Sequence, residues 1–263
     1  METVLLWLGT LALGWAVGVI SASLGIGGGI LMVPALAIFA GMDPHTAKGT
    51  SLFIIMFVAA LNSWRLNRRE RDKPWGLAGV CACGSMVGAY AGVWFTGLLP
   101  GVLVTWIFIA LVVFIAFQVL FLKATRVDEG QARRRNRVAA LTGLSAGLVA
   151  GATGIGGGAV FVPLALLTRA ASNRRVVALS NTVMVVTCAA GAAGHLAARK
   201  IMNMPWTVGQ VNLVVAIPIV LGAQLGARLG IWLNDRLTLP RRKVAMAAIL
   251  LVIAAAMACR AIG

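Results

Sequence analysis

The sequence predicts an all-α integral membrane protein built from two inverted repeats of about four helical segments each. Hydrophobic residues make up 60% of the chain and charged residues only 11%, whereas a soluble domain carries roughly 25% charged residues. The mean hydropathy is +0.93. The pentapeptide Gly-Ile-Gly-Gly-Gly at 25–29 returns at 154–158 in a second apolar stretch. Composition therefore places the chain in lipid, and the repeated motif divides it into two halves.

The helical segments follow from the apolar runs, because about 20 apolar residues are enough to cross a bilayer as a helix. We expect segments at 3–24 continued by 30–41, 45–64, 75–96, 101–122, 138–153 continued by 158–168, 176–198, 206–233 and 244–262. The chain then divides into a first membrane repeat at 1–122, a polar, arginine-rich cytoplasmic linker at 123–137 and a second membrane repeat at 138–263. Each repeat opens with a helix that the glycines break.

Other features recur in the same order in the two halves. Pro74-Trp75 corresponds to Pro205-Trp206, and three glycines spaced four apart before a tryptophan occur at 84–94 and again at 222–232. This shared order indicates a duplication. The glycine spacing itself is typical of close packing between membrane helices.

The basic residues define the expected orientation. Most of the 23 lysines and arginines lie in loops at 65–73, 123–137, 169–175 and 236–243, which the positive-inside rule places in the cytoplasm. These loops share one side only if each glycine-broken segment is re-entrant, entering and leaving on the same face. The halves are then antiparallel, although residues 3–24 are long enough to cross alone and that alternative stays open. The net charge of +16 has the same origin, so no nucleic-acid partner is expected.

The glycine motifs are the first candidates for a binding site. Each glycine costs a helix about 1 kcal/mol relative to alanine, and a broken helix is tolerated in a membrane only where it is buried in protein or lines a cavity. Helices that start after the breaks present free N–H groups and a partial positive charge, which together bind anions. The alternative is that the glycines serve helix packing. The predicted substrate-binding glycines are Gly25, Gly27, Gly28, Gly29, Gly154, Gly156, Gly157 and Gly158.

Small polar side chains in the helix after each break form the second set of candidates. Hydroxyl and amide groups suit a small oxyanion in a low-dielectric cavity, and they equally suit hydrogen bonds between helices. These residues are Thr50, Ser51, Ser180 and Asn181.

Three further residues are weaker candidates. Ser21 and Ser23 have alanines as counterparts in the second repeat, so a site between the halves would be asymmetric. Arg228 lies within an apolar segment, where an arginine is either a functional group or extends to the cytoplasmic face.

Other chemistries find no support in the residues. The seven acidic residues lie at segment ends or in loops, whereas cation transport and proton relays normally use a buried carboxylate. We find no nucleophile motif, no metal-ligand spacing among the four cysteines and no ATP-binding motif. We therefore expect no enzyme, no cofactor and no metal. The expected partners are a small anion and the lipid bilayer, with no indication of a homo-oligomer.

The paired motifs, each followed by Pro34 or Pro163 and then by a Thr-Ser or Ser-Asn step, resemble the TauE/SafE sulfite exporter family. The resemblance implies a multi-pass secondary transporter of the bacterial inner membrane that exports sulfite, sulfoacetate or related organosulfonates, bound at the midplane between the broken helices. It carries over 25–29 and 154–158 as the breaks, with Thr50, Ser51, Ser180 and Asn181 as cavity lining. A passive anion channel and a non-transporting scaffold stay open as alternatives.

Overall fold

The chain is almost entirely helical in a computed structural model. The structure describes residues 2–24, 28–68, 75–121, 127, 136–173, 175–201, 206–236 and 238–262. The helices within these ranges are α1 (Glu2–Leu24), α2 (Gly29–Phe39), α3 (Pro44–Asn67), α4 (Trp75–Gly97), α5 (Gly101–Phe121), α6 (Asn136–Thr153), α7 (Gly158–Leu167), α8 (Val176–Ala197), α9 (Leu213–Arg236) and α10 (Leu239–Ile262). Strands β1 (Thr207–Val208) and β2 (Val211–Asn212) form an antiparallel hairpin between α8 and α9. A helical membrane protein is confirmed, and the small hairpin corrects the all-α prediction.

Seven of the described helices are long and apolar enough to cross a membrane, namely α1, α3, α4, α5, α8, α9 and α10. The helices that follow the glycine motifs are shorter, with 11 residues in α2 and 10 in α7. The apolar part of α1 spans 20 residues, which is the length of a full crossing.

The start of α9 differs from the sequence prediction. The helix predicted over 206–233 begins only at Leu213. Gly209 takes a φ of 57° in the turn between β1 and β2, a conformation open to glycine. The side-chain Oδ1 of Asn212 then accepts a hydrogen bond from the N–H of Val215 at 3.1 Å. This N-cap defines the beginning of α9.

Glycine stripes join two pairs of helices from opposite halves of the chain. At each stripe glycine, an added Cβ would overlap a backbone carbonyl oxygen of the facing helix, so the two backbones are in direct contact. The contacts between α4 and α6 are Gly84 with Ala140, Gly88 with Leu144 and Gly92 with Leu148. The contacts between α9 and α1 are Gly222 with Leu11, Gly226 with Trp15 and Gly230 with Val19. The packing role predicted for these glycines is confirmed.

Helix α2 lies in the protein interior, and α7 is partly buried. In α2 every residue from 29 to 37 is buried, in a cluster that includes Phe108 of α5 and Leu250 of α10. In α7 the buried residues include Phe161 and Ala165, which pack against α4, α6 and α8. Irregular backbone at membrane depth requires this protein surrounding, because lipid supplies no hydrogen-bond partners.

Helices α2 and α7 each contain a proline in their second turn. The helices begin at Gly29 and Gly158, within one residue of the predicted segments, and Pro34 and Pro163 are the sixth residues of α2 and α7. A proline there has no N–H for the carbonyl four residues before it. The carbonyl groups of Ile30 and Ala159 therefore lose their usual helical donor, so the weakened hydrogen bonding extends from each break into the following turn.

Candidate functional site

The second glycine motif interrupts the chain between α6 and α7. Helix α6 ends at Thr153 and α7 begins at Gly158. Between them Gly154, Gly156 and Gly157 have φ values of 79°, 86° and 81°. Side chains disfavour this region of backbone conformation. The predicted break is confirmed, and the backbone explains why glycine occupies these three positions.

The first glycine motif is partly described. Gly25 and Gly27 lie outside the described residues, whereas Gly28 is the N-cap of α2 and Gly29 is its first residue. Gly28 has a right-handed conformation, with φ −38° and ψ −17°. Its counterpart Gly157, the N-cap of α7, is left-handed. The two motifs are identical in sequence and differ in backbone conformation at this position.

The two motifs are in contact. Gly29 approaches Ile155 so closely that a Cβ on Gly29 would overlap the carbonyl oxygen of Ile155. Ile55 of α3 packs on both motifs: its side-chain carbons lie 2.9 Å from the Cβ positions of Gly29 and of Gly156. The beginning of α2 and the second break therefore form one packed unit, with α3 against it.

Residues of α3 satisfy the carbonyl groups around the second break. The Ser51 hydroxyl donates to the carbonyl oxygen of Gly154 at 2.9 Å. The ammonium of Lys48 donates to the carbonyl oxygen of Ala152 at 3.3 Å and to Oγ1 of Thr96 at 2.9 Å. The last carbonyls of a helix have no intrahelical donor, so these side chains replace the missing partners at the end of α6.

Two serine hydroxyls lie at the beginnings of the short helices. Oγ of Ser180 is 3.4 Å from the Cβ position of Gly158, and Oγ of Ser21 is 3.6 Å from that of Gly28. Both glycines are half-buried, whereas the neighbouring Gly29 is buried. The first N–H groups of a helix have no intrahelical acceptor. Hydroxyl and backbone donors therefore come together at the start of each short helix.

The other predicted side chains make their contacts elsewhere. Thr50 Oγ1 accepts a hydrogen bond from the backbone N–H of Asn212 at 3.0 Å, beside the hairpin. Asn181 and Ser23 each donate to a carbonyl of their own helix at 2.9 Å. Arg228 is exposed on α9, where a long basic side chain extends towards the headgroups. Their roles in binding stay predictions.

Two buried polar residues were not predicted as site residues. Lys48, which lies outside the four basic loops, is only 1% exposed within α3. His195, near the end of α8, is also 1% exposed, and its Nδ1 lies 2.7 Å from Oε1 of Gln210. The signal for Lys48 was its position inside the apolar segment 45–64, because an ionisable residue within a membrane helix is a functional candidate by default.

Comparison with known proteins assigns the family. The family model described as sulfite exporter TauE/SafE matches residues 10–257. The chain is 26% identical over 252 residues to a probable membrane transporter protein of Methanocaldococcus jannaschii, covering 90% of each chain. It is also 26% identical over 251 residues to the probable membrane transporter protein YunE of Bacillus subtilis, covering 86% of this chain and 87% of the relative. No solved structure matches the chain. Because the family match covers both halves, the chain belongs to the TauE/SafE sulfite exporter family and is a membrane transporter.

Proposed function

We propose that the protein is a secondary transporter that exports small sulfur-containing oxyanions, such as sulfite, sulfoacetate or related organosulfonates, across the bacterial inner membrane. The contact between Gly29 and Ile155 carries this proposal, because it brings the start of α2 against the second break. A helix start presents N–H groups and partial positive charge to an anion. Discontinuous helices that meet inside a membrane are the usual substrate site of transporters with repeated halves.

Reciprocal packing supports an inverted repeat. The stripe on α9 faces α1, and the corresponding stripe on α4 faces α6, so each half offers the same helices to the other. Lys48 contacts Thr96 near the end of α4, whereas Thr50 contacts Asn212 just before α9. Helices α4 and α9 therefore run in opposite directions beside α3. Equivalent helices in opposite directions are what an inverted repeat requires.

Contacts between loops support the re-entrant path of the broken segments. The N–H of Val127 in the linker donates to Oδ1 of Asn173 at 2.6 Å, and the N–H of Asn173 donates to the carbonyl of Val127 at 3.0 Å. The linker before α6 and the loop after α7 thus lie on one side. Near the first break, the carbonyl of Met42, after α2, accepts a hydrogen bond at 3.0 Å from Arg260, near the end of α10 in the second half. The loops that we propose to be cytoplasmic are 65–73, 123–137, 169–175 and 236–243.

The proposed site binds the oxyanion with neutral donors at the two short helices. Ser180 serves the start of α7 and Ser21 the start of α2, while Gly28 and Gly158 let the anion approach the backbone closely. Ser51 holds the break in shape by binding Gly154. Rocking of one half against the other would expose the site to each side in turn. A negative cell interior drives an anion outwards by about 2.3 kcal/mol per charge per 100 mV.

Transport by purified protein in liposomes tests the proposal. Liposomes loaded with sodium sulfite are expected to release sulfite faster than empty-membrane controls, and faster still when a potassium diffusion potential makes the interior negative. Saturation with sulfite concentration and acceleration by external sulfite distinguish a carrier from a passive channel. A release rate equal to that of protein-free liposomes for sulfite, sulfoacetate and related organosulfonates would overturn the proposed function.

A further inference from the structure

We propose that Lys48 supplies a positive charge to the oxyanion beside the second break, in addition to the neutral donors at the starts of the short helices, with His195 near it as a hydrogen-bond acceptor. The inference rests on the proposed function, because its ligand is the transported oxyanion. Both side chains are almost fully buried. Lys48 is one turn before Ser51 on α3, whereas His195 is near the end of α8 and about 22 Å along that helix from Ser180. The pair would therefore meet the anion beside Gly154, not at the start of α7.

The position of Lys48 is the first argument. Its Cα is 2.9 Å from the Cβ position of Gly154, the first residue of the second break. Its ammonium reaches past this residue to Ala152 at the end of α6 and to Thr96 at the end of α4. Both the backbone and the ammonium group of Lys48 therefore lie next to the second break.

The balance of charge is the second argument. An ammonium has three N–H donors, and Lys48 gives hydrogen bonds to two neutral oxygens, on Thr96 and Ala152. The Asp43 carboxylate acts on it electrostatically, while Oδ1 of Asp43 also accepts the N–H groups of His45 and Thr46 at 3.0 and 3.1 Å. A buried charge with neutral acceptors is costly. An arriving oxyanion stabilises the ammonium by accepting its remaining donor.

His195 adds a complementary group. Its ring packs beside Gly49, the residue after Lys48, and lies within electrostatic range of the Lys48 charge. The amide oxygen of Gln210 accepts at 2.7 Å, so Nδ1 carries the hydrogen and Nε2 is an acceptor. In the part of the chain that the structure describes, this buried Nε2 has no hydrogen-bond partner. Hydrogensulfite offers anionic oxygens to Lys48 and one acidic hydrogen to Nε2 of His195.

Sulfite titration of purified full-length protein tests the role of Lys48. Thermal unfolding in detergent is followed as sodium sulfite replaces sodium gluconate at constant ionic strength, since a ligand of the folded state raises its apparent stability. Lys48→Gln keeps an N–H donor for Thr96 and Ala152 and removes the charge. Its apparent Kd for sulfite is expected to weaken about 10- to 100-fold, as for loss of a charge-assisted hydrogen bond. Lys48→Arg is expected to keep the response, as is the control Lys243→Gln at an exposed position.

A second variant separates binding from structure. Thr96→Val removes one neutral acceptor from the ammonium and leaves the charge, so a lower melting temperature with an undiminished sulfite-induced increase is expected. Unchanged sulfite affinity in folded Lys48→Gln overturns the inference while the proposed function stands. If Lys48→Gln does not fold, a diminished sulfite response in Thr96→Val overturns it instead. If the wild-type protein neither binds nor transports these oxyanions, the proposed function itself is overturned.

Discussion

Ser51 donates its hydroxyl hydrogen to the carbonyl oxygen of Gly154 over 2.9 Å, and this bond joins the two halves of the chain at the second glycine break. Both residues are buried. Gly154 follows the last residue of α6 and has a φ of 79°. A side chain from α3 therefore replaces a helical hydrogen bond that the break has removed.

Ser51→Ala is expected to lower the free energy of unfolding by about 1–3 kcal/mol, because the Gly154 carbonyl stays buried without its donor. Thermal or denaturant unfolding in detergent measures the change. Ser145→Ala is the matched control, since its exposed hydroxyl binds a carbonyl of its own helix, and a change within about 0.5 kcal/mol is expected. Equal small losses in both variants would show that the bond to Gly154 contributes little.

Gly28→Ala tests whether the start of α2 binds the anion. The new methyl group fits among the described residues, because its nearest neighbour there is Oγ of Ser21 at 3.6 Å and the backbone of Gly28 is right-handed. We expect unfolding free energy to change by less than about 1 kcal/mol, while sulfite-induced stabilisation falls because the methyl group occupies space beside the donors. The control is Gly79→Ala on α4, where an added Cβ meets no atom of the described residues within 4 Å. A normal sulfite response in Gly28→Ala would show that the start of α2 is not part of the binding site.

Gly29→Ala is expected to have the opposite effect, although it is the adjacent residue. A Cβ there would overlap the carbonyl oxygen of Ile155 and crowd Ile55, so α2 must move away from the second break. Overpacking of a buried contact costs typically 1–3 kcal/mol, and the loss of a backbone contact places Gly29→Ala at or above this range. The melting temperature without sulfite measures it directly. Stability equal to that of Gly79→Ala would contradict the contact between the two motifs.

Much of the fold could be predicted because a helix that crosses a membrane needs a long apolar stretch of sequence. The lengths of the apolar stretches predicted the helices. Glycines spaced four residues apart predicted the surfaces through which α4 and α9 pack on neighbouring helices. The hairpin before α9 escaped prediction because Pro205-Trp206 was aligned with Pro74-Trp75, whereas the turn depends on Gly209 and the cap on Asn212. Local turn chemistry outweighed the repeat at this point.

The candidate site was only partly predictable, for a different reason. The breaks are backbone features, and four glycines within five residues reveal them, whereas the more widely spaced glycines of the stripes stay helical. The hydroxyl groups of Thr50 and Ser51 are neighbours along α3, yet they meet different partners, the hairpin and the second break. Such a choice depends on which helix lies on each face of α3. No pattern within a single helix contains that information.

Valine at equivalent stripe glycines tests the reciprocity of the two halves. Gly88 contacts Leu144 of α6, and Gly226 contacts Trp15 of α1, each through a carbonyl oxygen. Gly88→Val and Gly226→Val are therefore expected to destabilise the protein to a similar degree, by at least about 1–3 kcal/mol each. Thermal unfolding of the two variants beside Gly79→Val measures this. A large loss at one stripe and none at the other would contradict a structural repeat.

Cysteine labelling tests the orientation on which export depends. Thr238 and Ile201 are both exposed, the first between α9 and α10 and the second after α8, at opposite ends of α9. In a background without the four native cysteines, a membrane-impermeant maleimide is expected to label Ile201→Cys in intact cells. Thr238→Cys should react only after permeabilisation, because the positive-inside rule predicts a cytoplasmic location for the basic loop at 236–243. Labelling of Thr238→Cys from outside, with Ile201→Cys protected, would show that the protein has the opposite orientation in the membrane. The same membrane potential would still act on a bound anion, but the starts of α2 and α7 would each approach from the opposite side.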